Sequence, residues 1–404
     1  MKKVIVLTLI ALRAVSVYSQ WTQVNTGLSD TSVIALAVSG TNIFAGTDMH
    51  GVFVSNDNGN HWTSASTGLT NMSITAIAIS GTNIFAGTFN GIFLSTNNGN
   101  NWTAVNTGLP ANCWIHALAI SGTNIYAGTN SNGVFLSTNN GGNWTAINTG
   151  LSNPDISSLV TEGSNVFVGT SGNGLFLSTN NGGSWIAVNN GLSTPIIGSL
   201  AVNGTTIYAT TASIVGSLFM STNDGSNWTD IGMTIPASYS FAFDNPRIFT
   251  GTASGIYLSS NNGSTWSNVS TGLNLNNNIL SLAIIGTDIF ASASLNGIYR
   301  RSLSEIMGVV EYGENENSLR VYPNPASDRT TITFSEAGST TEHTIKVMNT
   351  LGECIQQLTT SNKEQILDMS GYAKGVYFVR IESSFSLPLS DGETKPVYKK
   401  LVLQ

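Results

Sequence analysis

An eight-residue segment recurs six times in this chain at a spacing near forty residues. It reads SNDNGNHW at Ser55–Trp62, STNNGNNW at Ser95–Trp102 and STNNGGNW at Ser137–Trp144. It returns as STNNGGSW at Ser178–Trp185, STNDGSNW at Ser221–Trp228 and SSNNGSTW at Ser259–Trp266. The closing tryptophans Trp62, Trp102, Trp144, Trp185, Trp228 and Trp266 are 40, 42, 41, 43 and 38 residues apart. A fixed period of this size marks a repeat architecture. The octet also has a local mechanism. Ser, Asn and Asp side chains bond nearby backbone, and Gly59, Gly99, Gly141, Gly182, Gly225 and Gly263 supply positive φ. The segment is therefore a tight turn between antiparallel strands, and each Trp places a large ring to be buried at the start of the next strand.

Between octets each repeat carries four short β-rich runs. In residues 73–106 they are SITAIAIS, IFAGT, IFLST and TAVN, separated by GTN, FNG and the octet. Four strands per repeat at this period predict a propeller blade. The first strand recurs seven times, at Val33–Val38, Ile74–Ile79, Ile115–Ile120, Ile156–Thr161, Ile197–Val202, Ser238–Phe243 and Ile279–Ile284. The seventh repeat stops at Arg300-Arg301 without an octet, while WTQVNTGL at Trp21–Leu28 matches WTAVNTGL at Trp102–Leu109. The N-terminal strand is expected to complete the last blade and close a seven-bladed β-propeller, which removes the exposed edges an open solenoid would leave.

Residues 1–19 read as a signal peptide: Lys2 and Lys3, the apolar run Val4–Leu12, and Val17-Tyr18-Ser19 before a cleavage point at Gln20. The apolar run is too short to span a bilayer, and no transmembrane segment is expected. The propeller is assigned to 20–304 and a linker to 305–318. In 319–404 the period vanishes and strands are expected at Leu319–Tyr322, Thr330–Phe334, Thr344–Met348, Glu353–Leu358, Val376–Ile381 and Tyr398–Leu403. They suggest a small C-terminal β-sandwich, so the whole chain is all-β.

Residues 20–306 contain no Lys and only Arg247, Arg300 and Arg301, against ten acidic residues. Nucleic-acid binding, which needs phosphate neutralisation, is excluded on that balance. The two cysteines, Cys113 and Cys354, lie in different segments; each is expected to be a small buried residue. No His/Cys cluster has metal-ligand spacing, and no metal or cofactor is expected.

The octets resemble the Asp box of BNR-type propellers, Ser-x-Asp-x-Gly-x-x-Trp. Sialidases, xyloglucanases, sortilin-type receptors and the photosystem II assembly factor share it. The resemblance implies that the box is a structural turn away from the functional face. Here the Asp is kept only as Asp57; Asn97, Asn139, Asn180, Asn223 and Asn261 replace it. A calcium loop is the sharper alternative, but the octets lack its carboxylate count and downstream Glu.

The tail is similar to the C-terminal sorting domain of the Bacteroidetes type IX (Por) secretion system. The matching residues include Pro323-Asn324-Pro325, the Gly352 turn, Gly375-Val376-Tyr377 and the terminal Lys399-Lys400-Leu401-Val402-Leu403. The resemblance implies passage through the periplasm, engagement of the type IX machinery, and a mature protein that is secreted or held at the outer cell surface, with the tail removed. A monomer is expected.

In a propeller, the loops entering strand one and those joining strands two and three share a rim. Here they carry Asp30, Thr31, Asp48, Met49, His50, Phe89, Asn90, Cys113, Trp114, His116, Asn130, Asn132, Asp155 and Tyr239. Trp114 is a tryptophan outside the octets, standing where Ser32 and Ser73 stand in other repeats; His116 replaces Ile34 and Thr75. An aromatic and a titratable residue beside the channel suit a sugar or peptide. The bland alternatives are that Trp114 fills space between unequal blades and that His116 is a satisfied packing residue. A sialidase needs an arginine triad that three scattered arginines do not supply. A two-carboxylate glycoside hydrolase built on Asp30, Asp48 or Asp155 stays open, although each Asp also suits a turn. Near-uniform blades favour non-catalytic binding of a glycan or protein, with a glycoside hydrolase or an assembly scaffold as alternatives.

Overall fold

The computed structural model describes residues 20–306 and 319–403, apart from 212–216, 232–237, 275–277, 323–325, 335–342, 350–353, 363 and 384–396. The expected signal peptide, most of the expected linker, Pro323-Asn324-Pro325 and Gly352 lie outside the described residues. The chain divides into two compact units, Met1–Leu303 and Ser304–Gln404.

The first unit contains seven four-stranded antiparallel sheets. One blade illustrates them all: Ile74–Ser80, Asn83–Thr88, Gly91–Ser95 and Thr103–Ala104, paired in chain order. The first strand of each blade packs against the first strand of the next, and Ile279–Ile285 packs against Val33–Ser39, so the ring is closed around a central axis. These inner strands are half-buried after their first residue because they line the channel, whereas the second strands are buried almost throughout. Each second strand buries one aromatic ring: Phe44, Phe85, Tyr126, Phe167, Tyr208, Phe249 and Phe290. The octet glycine of the following blade rests on several of these rings. A Cβ on Gly59 would stand 2.6 Å from Phe290 Cε1.

Closure follows the end-complementarity read from the sequence. Thr22–Gln23 pairs with Gly297–Ser302, Thr22 opposite Arg300 and Gln23 opposite Tyr299. Trp21 is buried, and its indole N–H donates to Val269 O at 2.8 Å. The octet tryptophans make the same bond to the outer strand of the preceding blade: Trp62 to Val24 O, Trp102 to Ala65 O, Trp144 to Val105 O, Trp185 to Ile147 O and Trp228 to Val188 O. Trp266 departs from the pattern and donates to Gly263 O within its own octet. Each of the six conforming tryptophans also donates its backbone N–H to the turn that follows the preceding outer strand, as from Trp62 to Thr26 O at 2.8 Å; the turn is Thr-Gly in five cases and Asn190-Gly191 for Trp228. That approach requires glycine: a Cβ on Gly27 would lie 2.2 Å from Trp62 O, and φ there is 86°.

The octet turn works as its composition suggests. Ser95 Oγ donates to Asn97 Oδ1 and accepts from the Gly99 amide, each at 2.9 Å; Asn97 Oδ1 also accepts from the Asn101 amide at 3.0 Å. Asp57 makes the equivalent bonds, so Asn and Asp serve alike.

The second unit has two sheets. Leu319–Tyr322, Arg329–Phe334 and Glu364–Asp368 form one; Cys354–Thr360, His343–Met348, Gly375–Ser383 and Val397–Leu403 form the other. Their shared core holds Ile332, Ile345, Val347, Leu367, Tyr377, Val379 and Leu401. Glu364–Asp368 is a strand the sequence reading missed; of its five residues only Leu367 is buried, and Ile366 points outward. Cys113 is buried as expected, but Cys354 is exposed, a correction: it starts a strand at the sheet edge, where its side chain faces away from the core.

Trp21→Ala, and separately deletion of 20–27, should destabilise the propeller strongly. Loss of the buried ring alone costs about 3–5 kcal/mol. Thermal melting of both variants tests this; native-like melting temperatures would contradict closure by this strand.

Candidate functional site: the rim opposite the octets

Strand direction places the entry loops and the loops between strands two and three at one end of the propeller, and the octets at the other. The rim loops are clasped between blades. The amide at the start of strand three donates to the carbonyl two residues before the next inner strand: Gly51 to Met72, Gly91 to Cys113, Gly133 to Pro154, Gly174 to Pro195 and, across the closure, Gly297 to Thr31. Side chains on this scaffold are thus held in a fixed order around the ring.

The rim is apolar. Met49, Met72, Phe89, Trp114, Ile196, Tyr239 and Leu295 make up seven of the nine large hydrophobic residues exposed among the described residues. Three of the expected residues meet there. Phe89 and Trp114 stand edge to face with ring centroids 4.6 Å apart, and Trp114 and His116 repeat that geometry at 4.6 Å. Trp114 is 36% exposed and Phe89 40%, so Trp114 is not a spacer sealed between blades.

His116 sits at a β-bulge between Ile115 and Ala117. Every inner strand carries a bulge at this place, and Tyr239 occupies it in the sixth blade. His116 and Tyr239 are therefore equivalent positions at the channel mouth, together with Ile34, Thr75, Ser157 and Leu280. Burial lowers the His116 pKa, opposed by the Asp155 carboxylate and by a hydrogen bond to the Ile156 backbone. Thr75 reaches the corresponding carbonyl, Ile115 O, one blade earlier.

The carboxylates differ in their commitments. Asp30 accepts from the Ser32 amide at 2.8 Å, the Met49 amide at 3.1 Å and His50 Nδ1 at 3.1 Å. Burial opposes its ionisation, but the Ser32 amide, His50 and the Met49 amide together hold its pKa below the ordinary value. Asn71 and Asn153 accept from Ser73 and Asp155 in the same turn of other blades, so Asp30 fills a turn position that needs no charge. Asp48 is half-buried and its amide donates to Ser32 O. Asp155 stands at the position of Trp114 one blade on, and its Oδ1 is buried without a hydrogen-bond partner. Sequence reasoning set Asp155 beside Asp30 and Asp48; only its unpartnered oxygen separates it. His50 is exposed, against Asp30, and nothing brings it to Trp114. The Cys113 thiol is pushed up to about 11 by burial and is inert. Among the described residues, no group of three or more His, Cys, Asp and Glu side chains could hold a metal, and no helix is long and apolar enough to cross a membrane.

Comparison with known proteins agrees with both units. Residues 115–241 match the model of the DUF6242 beta propeller domain, and residues 320–387 match that of the secretion system C-terminal sorting domain. No curated protein matches the sequence. Among solved structures, the extracellular domain of the hybrid two-component system BT3049 from B. thetaiotaomicron is similar at TM-score 0.62 and 14% identity, covering 95% of this chain and 57% of that one. PorZ, a surface component of the type IX secretion system of Porphyromonas gingivalis, is similar at TM-score 0.54 and 17% identity, covering 94% and 60%. YCF48 from Cyanidioschyzon merolae matches at TM-score 0.54 and 17% identity, covering 70% and 98%. At these identities the likeness is one of fold, and the chain spans less than two thirds of the first structures it resembles. The chain is a β-propeller carrying a type IX sorting domain, and that domain marks it for export to the cell surface or beyond.

The lowered His116 pKa fixes a sign. The unfolded chain takes up this proton first as pH falls, so the stability His116 contributes is complete above about 6.5 and is lost progressively below it. Melting temperatures between about pH 5 and 7.5 should fall more steeply on the acid side in the native protein than in His116→Gln. Equal slopes would contradict a histidine held neutral.

Proposed function

We propose that the propeller is a non-catalytic binding module, acting outside the cell on a glycan or protein through its rim. The observation that carries this is the edge-to-face row of Phe89, Trp114 and His116 on the face that holds seven of the nine exposed large apolar residues among the described residues. Aromatic rings left half in water on a rigid scaffold are low-entropy contacts for a ligand. The octets, by contrast, use their serine hydroxyls and their Asn or Asp oxygens to hold their own turn. Extracellular domains and a secretion-system surface protein share the fold, and YCF48 has been solved bound to a D1 peptide. A two-carboxylate hydrolase is the weaker reading, because Asp30 is occupied by two amides and His50.

Trp114→Ala should weaken ligand binding several-fold or more, since such stacking contributes roughly 0.5–1.5 kcal/mol beyond area burial. Its melting temperature should stay within a few degrees of native. A glycan and peptide array probed with both forms tests this; unchanged affinity with a large loss of stability would make Trp114 a packing residue.

Export is tested separately. Deleting residues 319–404 should leave a folded propeller in the periplasm, detectable by fractionation. Secretion of the truncated form at native levels would contradict the role assigned to the tail.

A further inference from the structure

Asparagine recurs throughout the propeller, and at most repeat positions its task is visible. Asn97, Asn139, Asn180 and Asn261 accept an amide that closes their octet. Asn25, Asn106, Asn148 and Asn189 accept from an amide at the start of a third strand, each at 2.7 Å. Asn71 and Asn153 hold entry turns, and Asn98, Asn140 and Asn181 supply left-handed backbone. Asn90 and Asn132 do none of this. Both are exposed, neither has a left-handed φ, and their hydrogen bonds are main-chain ones. Among the described residues, neither carboxamide has a partner.

Both stand beside the aromatic row. Asn90 follows Phe89, and the next amide, Gly91, donates to Cys113 O at 2.8 Å. Asn132 belongs to the loop whose Asn130 amide donates to Trp114 O at 3.1 Å. One loop thus meets Cys113-Trp114 from the second blade and the other from within the third. The entry loop 110–114 is one residue longer than its counterparts 70–73 and 152–155, and it holds Asn112 at a φ of 55°. Asn112 is exposed, and its carboxamide is also without a bond.

The chemistry of these groups selects a ligand. A carboxamide both donates and accepts, so it bonds a hydroxyl in either sense. A saccharide ring offers hydroxyls at its edge and C–H groups at its face, and the latter pack on aromatic rings such as Phe89 and Trp114, 40% and 36% exposed. An extended peptide binds chiefly through its main chain, but here Gly91 N, Asn130 N and Gly133 N are already given to neighbouring loops. An acidic sugar needs a cation. Residues 20–306 hold no lysine, and the arginines are engaged elsewhere: Arg247 with Asp244, Arg300 with Asn58 O and Asn60 Oδ1, Arg301 with Val269 O. Burial biases the imidazole of the row, His116, toward its neutral form.

We infer that the exposed parts of Phe89 and Trp114, with the carboxamides of Asn90, Asn112 and Asn132, form a subsite for a neutral oligosaccharide. This rests on the reading of the rim as a binding face and names the class of ligand that face takes.

The test is calorimetry on the full chain with three kinds of probe: the neutral cellohexaose, mannohexaose and xylohexaose; the acidic hexagalacturonate; and an acetylated, amidated hexapeptide alternating phenylalanine and serine. At least one neutral hexasaccharide should bind, about tenfold or more tightly than hexagalacturonate. Asn90→Ala and Asn132→Ala should each weaken it about threefold or more, as expected for one lost hydrogen bond to the ligand. Asn112→Gly, which keeps the left-handed backbone, should do the same, and Trp114→Ala should cost about tenfold or more. Asn98→Gly is the control: it makes the same exchange at a φ of 57° in an octet and should change nothing. Each variant's melting temperature verifies its fold. Neutral-sugar binding that none of the three asparagine variants weakens, or hexagalacturonate binding as tight or tighter, overturns the subsite. Peptide binding that Trp114→Ala weakens, with no sugar bound, overturns the subsite but keeps the rim as a binding face. No binding by any probe overturns both.

Discussion

The ring depends on one repeated contact, an indole N–H given to a main-chain carbonyl of the preceding blade. Trp21, Trp62, Trp102, Trp144, Trp185 and Trp228 each make it, at 2.5–2.8 Å. The bond joins two sheets that share no strand pairing, so it supplies direction where packing alone would let blades slide. It also explains why the Thr-Gly turn recurs with the octet. Six tryptophans need a bare backbone to approach, and Gly27 and its counterparts provide it. The departure is Trp266, whose preceding outer strand reads TDIGMT instead of TAVNTG. Its indole donates to Gly263 O within its own octet.

How much of this was legible follows from how local each interaction is. The octet turn closes within eight residues, so its bonds could be anticipated from Ser, Asn and Gly alone. Ring closure was legible because the two chain ends are complementary pieces of one repeat. The acceptor of each tryptophan was not, because it lies a whole blade away. In the tail, Glu364–Asp368 buries only Leu367 and shows no alternation long enough to read as a strand. The exposure of Cys354 depends on which edge of a sheet its strand occupies, and composition does not encode that.

The site divides the same way. Trp114 and His116 were visible as departures from an otherwise regular repeat, and Phe89 as a residue of the rim loops. Their mutual contact was not, because Phe89 belongs to the second blade and the other two to the third. His116 and Tyr239 are one structural position, which emerges only from the bulge in each inner strand. Asp30 and Asp155 looked alike in sequence. Their difference is one of hydrogen bonding: one replaces an asparagine that caps a turn, and the other keeps a buried oxygen without a donor.

The division of labour between the two ends of the propeller has a physical basis. Octet side chains are fixed by the bonds that hold the blades, so substitution there changes stability before it changes any surface. Rim side chains are held by backbone clasps, from Gly51, Gly91, Gly133, Gly174 and Gly297, that do not involve them. A rim residue can therefore change from Ser to Trp to Asp, as at Ser32, Trp114 and Asp155, without loosening the ring. Recognition can vary on such a face while the scaffold stays the same, and chemistry specific to one ligand is expected where the repeat is broken. In this chain the break runs through the second, third and fourth blades, where Phe89, Trp114, His116 and Asp155 stand in sequence around the channel mouth.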